Sequence, residues 1–176
     1  MSLFEDLLSE IVKEAVKPKI SRAELRQDIE KFLENKIKQQ SALPVPGTPV
    51  YCNLALVAEH TGIYIGDNKI VHLNGNGRIE AVTPRVFVNR LDGINPAVSI
   101  YFAAVGGKAV GTQKIADRAR AMIGKRRDYN VLLDNCHQFT CGCLSGDFEN
   151  PCNYFTLVQA EIWSKFGIFS WKEWDY

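Results

Sequence analysis

The spacing of apolar residues changes along the chain. Leu3, Phe4, Leu7, Leu8, Ile11, Val12 and Ala15 recur three and four apart, with acids and lysines opposite, which predicts an amphipathic helix. Lys17-Pro18 ends it, because proline has no amide proton and restrains the residue before it. Ser21 followed by Glu24 has the pattern of a capping box, and Leu25, Ile29, Phe32, Leu33 and Ile37 supply the buried face of a second helix. The expectation is an N-terminal helical hairpin over residues 1–43, serving as a packed appendage or as a protein-partner surface; the pattern favours packing. Ser41 to Pro49 is studded with proline and marks the boundary.

Beyond it the period turns strand-like. Val50–Val57, Gly62–Gly66, Lys69–Leu73, Arg78–Val82 and Ala97–Ala104 are strand candidates. Thr112 caps a predicted helix that Gly124 stops, Tyr129–Leu133 is a short apolar run, and Asn135–Leu144 reads as a further helix. The expected class is α+β, an antiparallel sheet packed against helices. Its main domain covers residues 44–150. An aromatic helix or tail follows over 151–176, with Trp163, Phe166, Phe169, Trp171 and Trp174. That tail is expected to cap the core, with Trp171–Tyr176 as a segment that chain ends often leave loose.

Two histidines flank the turn at Gly66-Asp67-Asn68, and the register there decides whether they meet. A two-residue loop sets His72 opposite Ile63 and sends the rings to opposite faces. A three-residue loop sets His72 opposite Gly62 and puts His60 and His72 on one face. The second register also gathers Ile63, Ile65, Val71 and Leu73 on the other, buried face, so the pattern favours it. Gly62 would then leave room beside both rings for a third group.

Asp134-Asn135-Cys136-His137-Gln138-Phe139 suggests that group. Asp134 or Asn135 is a natural N-cap, which puts Cys136 in the first turn of a helix. The unpaired amides and the dipole there favour a thiolate, and a nearby imidazole adds to the effect. Cys136 is the candidate nucleophile, His60 its base and His72 the residue that orients His60. The amides beside Asn135 could hold an oxyanion.

Composition narrows the class. A net charge of +1 argues against a nucleic-acid binder, and Lys125-Arg126-Arg127 is too short a basic run to reverse that. The N-terminus lacks a secretory pattern, and no apolar run is long enough to span a bilayer. Five cysteines, odd in number and unevenly spaced, do not suggest a disulfide framework and fit a reducing cytoplasm. Cys136, His137, Cys141, Cys143 and Cys152 lack paired metal-ligand spacing, so neither metal nor cofactor is expected, and Cys52, Cys141 and Cys143 read as buried packing residues.

The segment from Glu59 to Leu73, with His60 and His72, resembles the first signature of the lecithin retinol acyltransferase-like proteins. Asp134–Phe139 resembles their second, and Tyr129-Asn130-Val131-Leu132 is similar to the residues before it. The resemblance spans roughly Pro46 to Leu144. It implies a circularly permuted relative of papain-like and NlpC-type peptidases, acting by acyl transfer through a thioester on Cys136, with an ester or amide as acyl donor. Thr61 stands where an aromatic is common, Ala58 where tyrosine is frequent, and His137-Gln138 where Glu-His is usual. The hydrophobic C-terminal anchor of lipid-modifying members has no counterpart in the aromatic tail. These departures spare the thiol chemistry and leave the substrate, lipid or peptide-like, open. The alternative is a binding or regulatory module that keeps the fold without turnover.

Overall fold

The computed structural model describes residues 43–54, 58–89, 99–127 and 135–176, with 21, 26–28 and 30–31 ahead of them. The chain divides into two compact units, Met1–Gln39 and Gln40–Tyr176. In the first, residues 26–28, 30 and 31 are helical and exposed, and Arg26 Nε lies 3.3 Å from Glu30 Oε1, one helical turn on. The rest of the expected N-terminal hairpin lies outside the described residues, as does the apolar run at 129–133.

The second unit is built on a seven-stranded antiparallel sheet. Its strands are β1 (Pro49–Leu54), β2 (Ala58–Gly66), β3 (Lys69–Leu73), β4 (Ile79–Val82), β5 (Ile100–Val105), β6 (Lys108–Ala109) and β7 (Ser170–Trp174). The order is β4-β3-β2-β1-β5-β6, and β7 pairs with β5. Four helices are described in this unit: α1 (Pro84–Val88), α2 (Gln113–Met122), α3 (Cys136–Ser145) and α4 (Phe155–Phe166). Thr112 caps α2 as its sequence predicts, accepting from the amide of Ile115, and Gly124 follows with φ +85°.

Strand alternation splits the buried residues into two cores, one on each face of the sheet. Ile63, Ile65, Val71 and Leu73 face α2, α3 and α4 and pack with Ile115, Phe139, Leu144, Val158 and Ile162. Val50, Cys52, Ile70 and Phe102 face the other way and pack with Phe87 of α1 and Trp174 of β7. The aromatic tail is therefore divided. Trp171 to Trp174 are part of β7, and Trp174 is buried, so this stretch is ordered edge strand and not a loose end. Trp163 and Ile168 stay exposed.

The β2–β3 turn resolves the question of register in an unexpected way. Asp67 and Asn68 both have positive φ, +50° and +55°, the signature of a two-residue type I′ turn closed by Gly66 opposite Lys69. An irregularity between Tyr64 and Gly66 then shifts the pairing by one residue, giving Tyr64↔Ile70 and Ile63↔Val71. Continued one step further, that register sets His72 across from Gly62. The favoured register is present, but a short turn plus a bulge produces it and not a three-residue loop.

A second expectation is corrected in the cysteines. Cys141 of α3 and Cys152, in the segment before α4, form a disulfide across 11 residues of sequence, while Cys52, Cys136 and Cys143 are free thiols. The uneven spacing hid this bridge because its partners are brought together by the return of the chain after α3. Among the described residues no group of His, Cys, Asp and Glu could hold a metal ion, and no helix is long and apolar enough to cross a membrane.

Candidate active site

Helix α3 starts where its sequence places it. Asn135 is the N-cap, its Oδ1 accepting from the amides of His137 (2.9 Å) and Gln138 (3.3 Å). Its Nδ2 donates to the carbonyl of Asn153 at 2.8 Å, which ties the helix start to the chain that follows α3. Cys136 is the first helical residue. From it to Leu144 every residue is buried, so α3 is a core helix with no solvent-facing side. Arg118 reaches its far end and donates to the carbonyls of Cys143 and Leu144 at 3.0 and 2.8 Å, satisfying acceptors a helix terminus leaves unpaired.

Thr61 of β2 is the hinge between sheet and helix. Its hydroxyl donates to the Cys136 carbonyl at 3.0 Å, accepts from the Thr140 hydroxyl at 3.0 Å, and lies 3.1 Å from Nδ1 of His137. The Thr61 hydroxyl has one proton, which both the Cys136 carbonyl and the Cys136 sulfur face, while its lone pairs face Thr140 and Nδ1 of His137. Burial pulls the His137 pKa down to about 4, so this ring is neutral at neutral pH.

The sulfur of Cys136 lies 4.0 Å from the carbonyl oxygen of Glu59 and 3.9 Å from His137 Nδ1. Burial pushes its thiol pKa up. Against that, the Thr61 amide and hydroxyl and the amides of Cys136 and His137 bond the thiolate and pull it down. The sulfur thus sits against the main chain of the residues on either side of His60, at a point where the described β2–β3 pairing has ended.

The two histidines of the hairpin meet. His60 Nε2 is 2.8 Å from His72 Nδ1, with the rings edge-to-face. Both are buried, His72 completely. They lie on the sheet face that carries Phe87, whose ring is 4.9 Å from that of His60 and 5.5 Å from that of His72. Helix α3 packs on the opposite face, where Phe139 and Leu144 join the core of Ile63 and Val71. The face bearing the rings is sealed by α1 where the sequence suggested open space. Gly62 offers no room either. A Cβ there would come within 2.8 Å of both Ile70 Cγ2 and the Val71 carbonyl oxygen, so this glycine serves the close approach of β3.

Four contributors escaped the sequence reading. Thr61 was visible only as a departure from a motif, His137 as that and as a rejected metal ligand, and Phe87 lay between two strand candidates. Glu80 stood inside a strand candidate, and strand pairing sets it opposite His72 with Oε1 3.6 Å from His72 Nε2. Only the pairing partner of that strand could have pointed to it.

Comparison with known proteins agrees with the sequence blocks: the family model described as lecithin retinol acyltransferase matches residues 43–149. No curated protein matches the chain.

Proposed function

The chain belongs to the lecithin retinol acyltransferase family, a family of acyltransferases, and we propose that it is a thiol-dependent acyltransferase or hydrolase that carries the acyl group on Cys136. The observation that carries this reading is the position of the sulfur: it rests against the carbonyl of Glu59 and the amide of Thr61, the two neighbours of His60. A nucleophile at a helix start, backed by amides that stabilise its anion, is thereby next in space to a strand bearing a buried imidazole pair.

The chemistry proceeds in two halves. Rotation of the Cys136 side chain carries the sulfur toward His60, whose Nδ1 takes the thiol proton. The sulfur attacks the acyl carbonyl of an ester or amide. The amide of Cys136 stabilises the developing oxyanion, while Asn135 holds the helix start rigid. Collapse breaks the bond to the alcohol or amine, which leaves with the proton from His60, and a thioester remains. An acceptor hydroxyl or amine, or water, then gives a proton to His60 and attacks the thioester, returning the thiol. His72 orients His60 throughout. The order of the histidine strands before the cysteine helix supports a permuted papain-like origin for this arrangement.

A second base deserves a test, because His137 Nδ1 is 3.9 Å from the sulfur. Its low pKa makes it a weak proton acceptor, and its Nδ1 is engaged by Thr61. Iodoacetamide labelling followed by peptide mass spectrometry separates the readings. Cys136 is expected to label well ahead of Cys52 and Cys143. His60→Ala is expected to slow it about a hundredfold, the ordinary contribution of a positioned base, and His137→Gln only slightly. Loss of reactivity in His137→Gln alone would transfer the role of base to that ring. Uniformly slow labelling of the three free thiols would favour a binding module without turnover. In an acyl-transfer assay Cys136→Ala is expected to be inactive, with His72→Ala retaining more activity than His60→Ala.

A further inference from the structure

We propose that Glu80 is a positioning residue that sets the proton polarity of the His72–His60 pair, leaving Nδ1 of His60 unprotonated and able to accept the thiol proton. The inference rests on the reading of His60 as the base and adds a residue to it. Pairing of β3 with β4 sets Glu80 opposite His72, and the two side chains meet with Oε1 3.6 Å from Nε2. The other nitrogen of the same ring, Nδ1, lies 2.8 Å from His60 Nε2. Oε1 also accepts from Asn74 Nδ2 at 3.0 Å, and Asn74 is fixed in turn, its Oδ1 accepting from the amides of Asn76 and Arg78. The carboxylate is thus held in place by the turn that joins its strand to that of His72.

A neutral imidazole carries one proton, on one nitrogen or the other. A carboxylate accepts and does not donate, so its negative charge beside Nε2 favours the His72 proton there. At 3.6 Å the contact is longer than a hydrogen bond, and the effect is that of the field, which needs only the sign and the proximity. With Nε2 protonated, Nδ1 of His72 must accept. The 2.8 Å contact then requires the proton to belong to His60 Nε2, and the neutral His60 ring keeps an unshared pair on Nδ1. The opposite polarity would place the His60 proton on Nδ1, and that ring could not take a proton from sulfur there. When the thiol proton moves to Nδ1 the ring becomes imidazolium, its Nε2–H still donates to His72, and no other proton has to move.

Histidine labelled with ¹⁵N in the full chain reports the tautomers directly, and iodoacetamide labelling of Cys136 reports their use. In the wild type His60 is expected to carry its proton on Nε2 and His72 on Nε2. Glu80→Gln, which keeps the shape and removes the charge, is expected to shift both rings toward the reverse tautomers and to slow Cys136 labelling about tenfold, a usual size for loss of an orienting partner. Glu80→Asp is expected to retain the wild-type tautomers and restore most of the rate. Asn74→Ala, which loosens the carboxylate without removing it, should shift the spectra in the same direction by less. Wild-type spectra with the His60 proton on Nδ1, or spectra and rate unchanged in Glu80→Gln while Cys136 labels fast, overturn the role of Glu80 alone. Wild-type Cys136 labelling no faster than Cys52 and Cys143 overturns the thiol-enzyme reading, and with it any use for the polarity.

Discussion

The neighbours of the sulfur respond to pH in a way that can be worked out. His137 is buried with its pKa drawn down from 6.5 to about 4, whereas in the unfolded chain it protonates at the ordinary value. Between those two values the unfolded state binds the additional proton, so stability rises with pH across that window. Stabilisation from the neutral ring is complete above pH 6.5 and is lost as the pH falls toward 4, at a limiting slope of about 1.4 kcal/mol per pH unit. Urea denaturation as a function of pH is expected to show this fall, and His137→Gln to flatten it. A wild-type curve that is level across the window would remove the buried neutral histidine from the account. Gly62 makes a second prediction at this scale. Gly62→Ala sets a methyl group 2.8 Å from the Val71 carbonyl, and backbone cannot rotate away as a side chain can. A loss of about 1–3 kcal/mol is expected by denaturation, with Gly62→Ser no better tolerated.

Among elements, α3 is the one on which the site depends, and it is held from three sides. Asn135 caps its start, Arg118 meets its end, and the Cys141–Cys152 bridge joins its middle to the chain that returns toward α4. Gly142 lets Phe148 of that returning chain lie directly on the helix, since a Cβ there would meet the ring at 2.4 Å. Asn135→Ala removes the acceptor of two amides and the donor to Asn153 together. It is expected to cost about 1–2 kcal/mol in stability and to lower the labelling rate of Cys136, because the sulfur is on the next residue. Asn135→Asp, which keeps the acceptor but not the donor, should recover most of the helix-capping stability. The bridge makes its own prediction. Proteolysis without reductant should release the peptides of Cys141 and Cys152 joined, with Cys52, Cys136 and Cys143 modified by alkylating reagent after unfolding. A full complement of five alkylated cysteines before reduction would contradict it.

On the scale of the Gln40–Tyr176 unit, the sheet is covered on both faces, and its two coverings have different tasks. The helical side carries the sulfur. The other side carries the imidazole pair under Phe87, and the same core is completed by Trp174 from the edge strand β7, packed edge-on against Tyr64. Trp174→Ala is expected to destabilise this unit by about 3–5 kcal/mol, the range for removing a large buried aromatic side chain. A near-neutral result in thermal denaturation would mean that β7 contributes little to the core around the histidines. Since Tyr64 is on the same strand as His60, the substitution is also expected to slow Cys136 labelling, which ties the tail to the site through packing.

Period and punctuation were enough to read most elements from the chain alone. Thr112 and Gly124 bounded a helix, Asn135 announced another, the strand at Lys69–Leu73 was legible to the residue, and the alternation of Ile63, Ile65, Val71 and Leu73 marked a core face. These are local signals, carried by residues within a few positions of one another, where the backbone's own preferences dominate. What only the tertiary structure decided depends on residues that come from different elements or chain segments. Thr61 meets Thr140, Cys141 finds Cys152, Phe87 closes over the histidines, and Glu80 stands behind His72, each by strand pairing or chain return. That the sulfur and the rings come from opposite sides of the sheet belongs to the same class. Alternation says which side chains share a face; which layer covers that face is settled by packing of distant segments, where no local preference acts.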